Sequence, residues 1–215
     1  MLGESMRLVL DTPRLSLRHL APEDAAFLAE LMNEPPYIAN IGDRGVRTVA
    51  DGMRYIEEKY TASYVRHGFG LYLVELTEEA APIGICGLVK RELLDHPDLG
   101  FAYLRRFWSR GYATEAASAT LRYARESLML HYIYGVVSPK NTRSIRLLEH
   151  LGLRFVRSLE LSGLPLESHL YGTELKSAQP SSEPMPAARD DSCRAGVTAD
   201  AGRGSLGRKS DSIHP

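Results

Sequence analysis

A short run of residues in the middle of the chain combines glycine, small side chains and a positive charge. In order it reads Trp108, Ser109, Arg110, Gly111, Tyr112, Ala113 and Thr114, and we call it the phosphate loop. It stands between a strand pattern and a helix pattern, so the helix N-terminus offers unpaired N–H groups and positive potential. Gly111 can adopt a positive φ, Ala113 adds little bulk, and Arg110 adds a full positive charge. These features predict a diphosphate-binding loop.

The phosphate loop lacks the signatures of two common nucleotide-binding motifs. No Lys-Ser or Lys-Thr pair follows Gly111, as a P-loop requires, and the three glycines of the dinucleotide motif are missing. A structural turn that merely joins a strand to a helix is the alternative interpretation. The residues alone thus predict an anion site and leave its ligand open.

A second block lies further along, where an apolar strand pattern at 132–137 is followed by a short helix pattern. Asn141 suits the N-cap of this helix, because its side-chain oxygen can accept hydrogen bonds from first-turn N–H groups. Gly152 suits the helix end. The helix face that begins with Ser144 continues at three- and four-residue spacing with Leu147, Leu148 and Leu151.

Together the two blocks resemble the GNAT N-acetyltransferase superfamily, and within it the branch that acetylates the N-terminal amine of ribosomal proteins. The run W-S-R-G-Y-A-T-E-A resembles that family's acyl-coenzyme A pyrophosphate loop, and Asn141 with Ser144 resembles its N-x-x-S element. Trp108 stands where the superfamily usually has Gln or Arg, and Ser109 replaces a common glycine. The resemblance covers about residues 14–175.

Strand and helix patterns alternate along the chain, which indicates a mixed sheet covered by helices. The resemblance implies an α/β (α+β mixed) fold: a central mixed, mostly antiparallel sheet with two splayed parallel strands, flanked by helices. The splayed strands would be 98–104 and 133–137, with acetyl-CoA as co-substrate in the gap between them. Main-chain groups of Phe101, Ala102 and Tyr103 would bind the pantetheine, since its amides can act as a pseudo-strand. Ser109, Arg110, Gly111, Tyr112, Ala113 and Thr114 would hold the diphosphate, and Asn141 would line the thiol end.

Some helices are predicted by spacing alone. One helix opens at Pro22, and the run Asn33-Glu34-Pro35-Pro36 stops it. Its apolar face is formed by Ala26, Leu28, Leu31 and Met32. Another begins after Thr48 and runs towards Arg66. Its apolar positions at helical spacing are Val49, Met53, Ile56 and Tyr60.

Acetyl transfer to an amine needs a proton acceptor for the amine and a proton for the departing thiolate. Glu92 is the first candidate base and Asp98 the second. Many family members carry a Tyr seven residues after the Asn as the acid, but Leu148 stands there. The resemblance implies Ser144 as a relay or hydrogen-bond donor instead. A Ser bonded only to its own helix backbone is the alternative.

The acceptor pocket is predicted between the first two helices, at 37–48. Tyr37 and Arg44 are its candidate substrate-binding residues. The acceptor stays open between a small-molecule amine and a protein N-terminus. A non-catalytic acyl-CoA-binding or sensing module of the same fold is the alternative function.

Composition limits the partners of this chain. Its net charge is −1, so no basic field for nucleic acid is present. The two cysteines and scattered histidines predict neither a disulfide framework nor a metal site. No apolar run suggests a membrane span or secretory leader, so we predict a cytoplasmic monomer or homodimer. Residues 1–176 would form the acyltransferase domain, and 177–215 a disordered low-complexity tail.

Overall fold

A computed structural model describes residues 8–159 and 167–175 of the chain. The predicted domain boundary at residue 176 and the predicted tail lie outside the described residues. Eight strands form a single sheet in the order β1-β2-β3-β4-β5-β6-β8-β7. They are β1 Leu8–Asp11, β2 Leu15–Arg18, β3 Leu71–Leu76, β4 Ala81–Val89, β5 Asp98–Tyr103, β6 Tyr132–Val137, β7 Arg154–Leu159 and β8 Ser168–Glu174.

Neighbouring strands in this sheet run antiparallel, except that β5 and β6 are parallel. A parallel pair needs a long crossover, and the phosphate loop with its helix provides it. The predicted mixed, mostly antiparallel sheet is therefore confirmed. Side chains alternate between the two faces of the sheet: within β3, Tyr72 and Val74 pack into one core while Leu73 packs into another.

Helices cover both faces of the sheet. They are α1 Ala25–Asn33, α2 Pro35–Asn40, α3 Val49–Tyr55, α4 Ala62–His67, α5 Tyr112–Glu126 and α6 Thr142–His150. The core beneath α1 contains Leu28, Leu73 and Ile85, whereas α5 buries Ala116 and Ala117 against the opposite face. The predicted flanking helices are thus confirmed. None of the described helices has the length and apolar character that crossing a bilayer requires.

The helix that opens at Pro22 stops where predicted, since α1 ends at Asn33, and the two prolines that follow start a new helix. Pro35 opens α2 after the extended residue Glu34. Proline is favoured at the first helical position, because its fixed φ suits the helix and its missing N–H has no partner there. The strand β1 is a further element that the sequence pattern did not indicate.

The predicted helix from Thr48 towards Arg66 changes its winding midway. Residues Ile56–Thr61 form a π-helical segment between α3 and α4. The predicted apolar positions divide accordingly: Ile56 and Tyr60 are buried, but Val49 and Met53 are exposed. Each π turn holds more residues than an α turn, so one α-helical stripe cannot describe the whole segment.

Candidate functional site

A gap opens between β5 and β6 immediately beyond their first residues. The strands are paired at Asp98 and Tyr134, where the Tyr134 N–H donates to the Pro97 carbonyl at 2.9 Å. No further register joins the two strands within the described part of the chain. The crossover helix α5 follows the far end of β5, so the phosphate loop lies at the end of β5 that is not paired with β6.

The pairing of β5 with β4 decides which main-chain groups face this gap. The Leu104 N–H donates to the Ile83 carbonyl at 3.0 Å, and this bond shows which alternate residues of β5 hydrogen-bond to β4. In an antiparallel pair alternate residues bond to the same neighbour, so Ala102 bonds towards β4 whereas Phe101 and Tyr103 face the gap.

The hydrogen-bonding register between β4 and β5 sets Ala102 apart from the other two predicted pantetheine-binding residues. The main-chain groups of Ala102 are directed towards β4, so they do not offer a ligand in the gap its hydrogen bonds. The carbonyl of Tyr103 accepts a hydrogen bond from Trp108 Nε1 at 2.7 Å. Phe101 therefore has both main-chain groups directed into the gap, and Tyr103 contributes its N–H.

The phosphate loop has the backbone conformation of an anion-binding turn. A 3₁₀ turn, Arg105–Phe107, leads into it, and Ser109 and Gly111 have φ of 60° and 82°. Gly111 is the N-cap residue of α5, and its carbonyl accepts from the Glu115 N–H at 3.0 Å. Left-handed residues at alternate positions are typical of a nest, a turn whose successive N–H groups face one side and can bind an anion. We call the backbone around Gly111 the nest.

The predicted diphosphate residues surround this nest. Ser109, Arg110 and Gly111 are exposed, while Tyr112, Ala113 and Thr114 are half-buried in the first turn of α5. Within a helix the first N–H groups have no upstream carbonyl, so these three residues present theirs outwards. The guanidinium of Arg143, in α6, lies 5.2 Å from the centroid of the Trp108 ring. This contact brings the start of α6 against the phosphate loop.

Asn141 and Ser144 meet at the start of α6, as the N-x-x-S spacing suggests. The Ser144 N–H donates to Asn141 Oδ1 at 3.2 Å, so Asn141 is the predicted N-cap. Ser144 is half-buried, and among the described residues its hydroxyl has no hydrogen-bonding partner. The alternative in which this hydroxyl bonds to its own helix backbone is therefore not what the structure shows.

Leu148 lies on the buried face of α6. Only 2% of it is exposed, and a Cβ at Gly135 of β6 would lie 2.8 Å from its Cδ2. The residue that replaces the usual tyrosine is therefore part of the contact between α6 and β6. Its place in the core agrees with the prediction that a tyrosine mechanism is not available here.

The two candidate bases differ in their surroundings. Asp98 is 1% exposed at the closed end of the gap, and Arg91 donates to both carboxylate oxygens, at 2.9 and 3.2 Å. Burial raises the pKa of Asp98, and the Arg91 guanidinium opposes part of that rise. Glu92 is exposed in the turn that follows β4. Glu92 is therefore accessible to solvent, whereas Asp98 is buried where β5 and β6 pair.

The predicted acceptor residues lie close together. Burial raises the pKa of Tyr37 to about 12, Tyr55 adds to that rise, and Arg44 opposes it through a hydrogen bond and its charge. The guanidinium of Arg44 also donates to the Ile41 carbonyl at 3.2 Å. Tyr60 packs edge-on against Tyr55, with ring centroids 5.6 Å apart. The sequence alone did not place Tyr55 and Tyr60 near the predicted acceptor pocket. They lie in a later segment of the chain, and local patterns do not show which distant residues it contacts.

The buried cysteine Cys86 and the possible metal-ligating side chains bear on covalent and metal-dependent chemistry. Burial raises the pKa of the Cys86 thiol to about 12, so it is not a thiolate at neutral pH. No group of His, Cys, Asp and Glu side chains with metal-binding geometry occurs among residues 8–159 and 167–175.

Comparisons with known proteins agree with this geometry. Residues 14–154 match the family described as "Acetyltransferase (GNAT) domain". An uncharacterised N-acetyltransferase, p20 of Bacillus licheniformis, is 30% identical over 152 residues, covering 67% of this chain and 82% of p20. An acetyltransferase from Agrobacterium tumefaciens is 28% identical with a TM-score of 0.66, covering 80% of this chain and 97% of its own.

One solved structure connects the fold to the ribosomal-protein branch. A ribosomal-protein α-N-acetyltransferase in complex with coenzyme A has a TM-score of 0.66 at 13% identity, covering 78% of this chain and 98% of its own. At that identity the likeness concerns the fold. The match over residues 14–154 carries the assignment, because it includes β2 to β6, the phosphate loop and α6. The chain therefore belongs to the GNAT acetyltransferase family and is an acyltransferase.

Proposed function

We propose that this protein is an acetyl-CoA-dependent N-acetyltransferase that moves the acetyl group directly to a primary amine. The observation that carries the proposal is the gap between β5 and β6, with Phe101 main-chain groups directed into it and the phosphate loop at its open end. A pantetheine arm carries two amides and a diphosphate at its far end. A strand edge that ends in an anion-binding turn matches both features.

The coenzyme would be held along this gap. Phe101 and the N–H of Tyr103 would pair with the pantetheine amides, and the first-turn N–H groups of α5 would bind the diphosphate. The bound coenzyme supplies the acetyl group as a thioester. The Phe101 N–H is the candidate oxyanion donor for the thioester carbonyl, so the Phe101 carbonyl and the Tyr103 N–H would be the groups that pair with the pantetheine amides.

In the transfer the amine nitrogen bonds to the thioester carbon, and the carbon–sulfur bond breaks. The amine loses one proton and the departing thiolate gains one, so atoms and charge balance. An α-amine has a pKa of about 7.7–8.0, so an appreciable fraction is already neutral near neutral pH. A weak base therefore suffices, and Glu92 or Asp98 can serve directly or through a water molecule. Ser144 would donate a hydrogen bond to the leaving sulfur or relay its proton.

Replacement of Ser144 by Ala is expected to lower kcat about tenfold and leave the Kd for acetyl-CoA near the wild-type value. The reason is that the Ser144 hydroxyl has no partner among the described residues and would assist the departing thiolate, whereas Asn141 holds the Ser144 main chain in either case. Steady-state kinetics together with calorimetry measure both quantities. Thr142→Ala, in the same helical turn, is the matched control, because Thr142 is exposed. An unchanged kcat in Ser144→Ala would remove the residue from the mechanism.

The acceptor pocket would include Tyr37 and Arg44, with Tyr55 and Tyr60 beside them. We propose a primary amine as the acceptor, on a small molecule or a protein N-terminus. Support for a protein N-terminus comes from the fold shared with the ribosomal-protein α-N-acetyltransferase. A screen of both classes at fixed acetyl-CoA would identify the acceptor.

A non-catalytic acyl-CoA-binding or sensing module is the second candidate function. One observation favours it: the position of the usual acid is Leu148, which is buried in the core. Catalysis and sensing differ in one measurable quantity, the acceptor-dependent release of free thiol.

Acetyl-CoA is expected to bind the full chain with micromolar affinity, and desulfo-CoA is expected to bind comparably, because most contacts involve the diphosphate and pantetheine. Isothermal calorimetry measures both, and a thiol-release assay with the acceptor panel then tests for catalysis. Binding without thiol release for any amine would favour the sensing module. Absence of binding to either ligand would show that the phosphate loop is a structural turn.

A further inference from the structure

The turn between β1 and β2 reaches across to the helix that carries the phosphate loop. Thr12 Oγ1 donates to Glu115 Oε1 at 2.7 Å. The main-chain N–H of Arg14 donates to the same oxygen at 3.0 Å, and Arg14 Nε donates to Oε2 at 2.6 Å. The Arg14 guanidinium also lies 4.7 Å from the centroid of the Tyr112 ring. Two residues of one turn thus bind a single carboxylate at the start of α5.

Arg14 also contacts the backbone of the phosphate loop. Its Nη1 donates to the carbonyl of Arg110 at 3.1 Å. Arg110 lies between Ser109 and Gly111, which both have positive φ. A left-handed backbone is unfavourable for a residue with a side chain, so Ser109 keeps it only where its surroundings hold it. The hydrogen bond from Arg14 is such a restraint, because it holds the carbonyl of the peptide that joins Arg110 to Gly111.

Glu115 presents an electrostatic problem for a loop that must bind an anion. It lies in the first turn of α5, and its N–H closes that turn on Gly111. Burial acts to raise the pKa of Glu115, but hydrogen bonds from Thr12 and Arg14 outweigh it and hold the pKa below its usual value. The carboxylate is therefore ionised at neutral pH, about one helical turn from the N–H groups meant for the diphosphate. Without a compensating cation it would repel the ligand.

We propose that Arg14 is a positioning residue for the diphosphate of the acyl donor. It neutralises Glu115 and holds the Arg110 carbonyl so that the nest is open to an anion before the ligand arrives. This inference rests on the proposed function, since it assumes that the phosphate loop binds the diphosphate. Arg14 acts through the loop and Glu115, and it makes no contribution to the transfer step itself.

A double-mutant cycle on acetyl-CoA binding tests this role, with Arg14→Gln, Glu115→Gln and the double variant. Arg14→Gln should raise the Kd and the KM for acetyl-CoA about 30-fold with kcat within about twofold, because a charge-assisted restraint is lost and a carboxylate is left uncompensated. Glu115→Gln alone should change the Kd less than about threefold, because Arg14 still holds the Arg110 carbonyl. The double variant should recover about tenfold of the affinity lost in Arg14→Gln.

Arg106→Gln is the matched control, since Arg106 is an exposed arginine just before the phosphate loop that pairs with Glu30. It removes the same charge and should leave the Kd near that of the wild type. The inference would be overturned if Arg14→Gln bound acetyl-CoA as tightly as the wild type does. It would also be overturned if Arg14→Gln raised the Kd by the same factor in the wild-type and Glu115→Gln backgrounds. If Glu115→Gln raised the Kd as much as Arg14→Gln does, the ion pair would only support the local structure, and the inference would be wrong. Failure of the wild type itself to bind acetyl-CoA would instead refute the proposed function.

Discussion

Gly111→Trp is expected to weaken acetyl-CoA binding by at least about 100-fold, the largest effect we predict for a single residue. Gly111 has φ of 82°, where a side chain is strained, and a Cβ there would lie 3.3 Å from Arg14 Nη2. A bulky side chain would displace Arg14 and cover the first-turn N–H groups of α5. Calorimetric titration of acetyl-CoA gives the affinity, and thermal unfolding shows how much of each sample is folded.

Gly152→Trp is the control that separates backbone strain from a blocked site. Gly152 follows α6 with φ of 90°, and a Cβ there would meet no atom within 4 Å. Both variants carry the cost of a left-handed residue, about 1–2 kcal/mol, but only the change at 111 touches the phosphate loop. Normal binding by a folded Gly111→Trp protein would show that the diphosphate lies elsewhere. Equal losses in both variants would indicate a general loss of folded protein.

Asp98→Asn is expected to lower the free energy of unfolding by about 2 kcal/mol, because it removes the charge that pairs with Arg91 in a buried place. Asp98 is 1% exposed and Arg91 binds both of its oxygens, so a neutral amide leaves the guanidinium without its counter-charge. The pair also lies at the junction of β5 and β6, where the gap begins. Urea unfolding at neutral pH measures the change.

Glu92→Gln is the comparison for this variant, because Glu92 is an exposed carboxylate on the same connection. Its free energy of unfolding should stay within about 0.5 kcal/mol of the wild-type value. A folded Asp98→Asn protein with wild-type stability would show that the ion pair is not what fixes this junction. The kcat values of the two variants then indicate which carboxylate accepts the proton from the amine.

Features that depend on neighbouring residues were predictable from the sequence. The positive φ at Gly111, the N-cap at Asn141 and the end of α6 at Gly152 each follow from a residue type within one helical turn of its effect. The strand β2 followed from alternation, which is also a local pattern, whereas β1 was not indicated. The resemblance to a family added the sheet arrangement, and the match over residues 14–154 confirmed it.

Local patterns failed where two interpretations of the same residues were possible. The segment with Pro35 and Pro36 correctly predicted the end of α1, but it gave no sign of α2, although proline equally suits a first turn. Val49 and Met53 have helical spacing, but the π segment after them rotates the following residues relative to α3. Strand register decides which residues of β5 bond to β4. It therefore decides that the main-chain groups of Ala102 are directed away from the gap.

The sequence by itself determined the phosphate loop, the capped helix α6 and the family, because each rests on contiguous residues whose backbone preferences act locally. Only the tertiary structure decided which distant side chains meet at the site. Arg14 and Glu115 are 101 positions apart, and Arg91 reaches Asp98 across the connection between β4 and β5. Such contacts depend on how the sheet brings its strands and helices together. Their stabilisation comes from charges held in partly buried places, which no local pattern reveals.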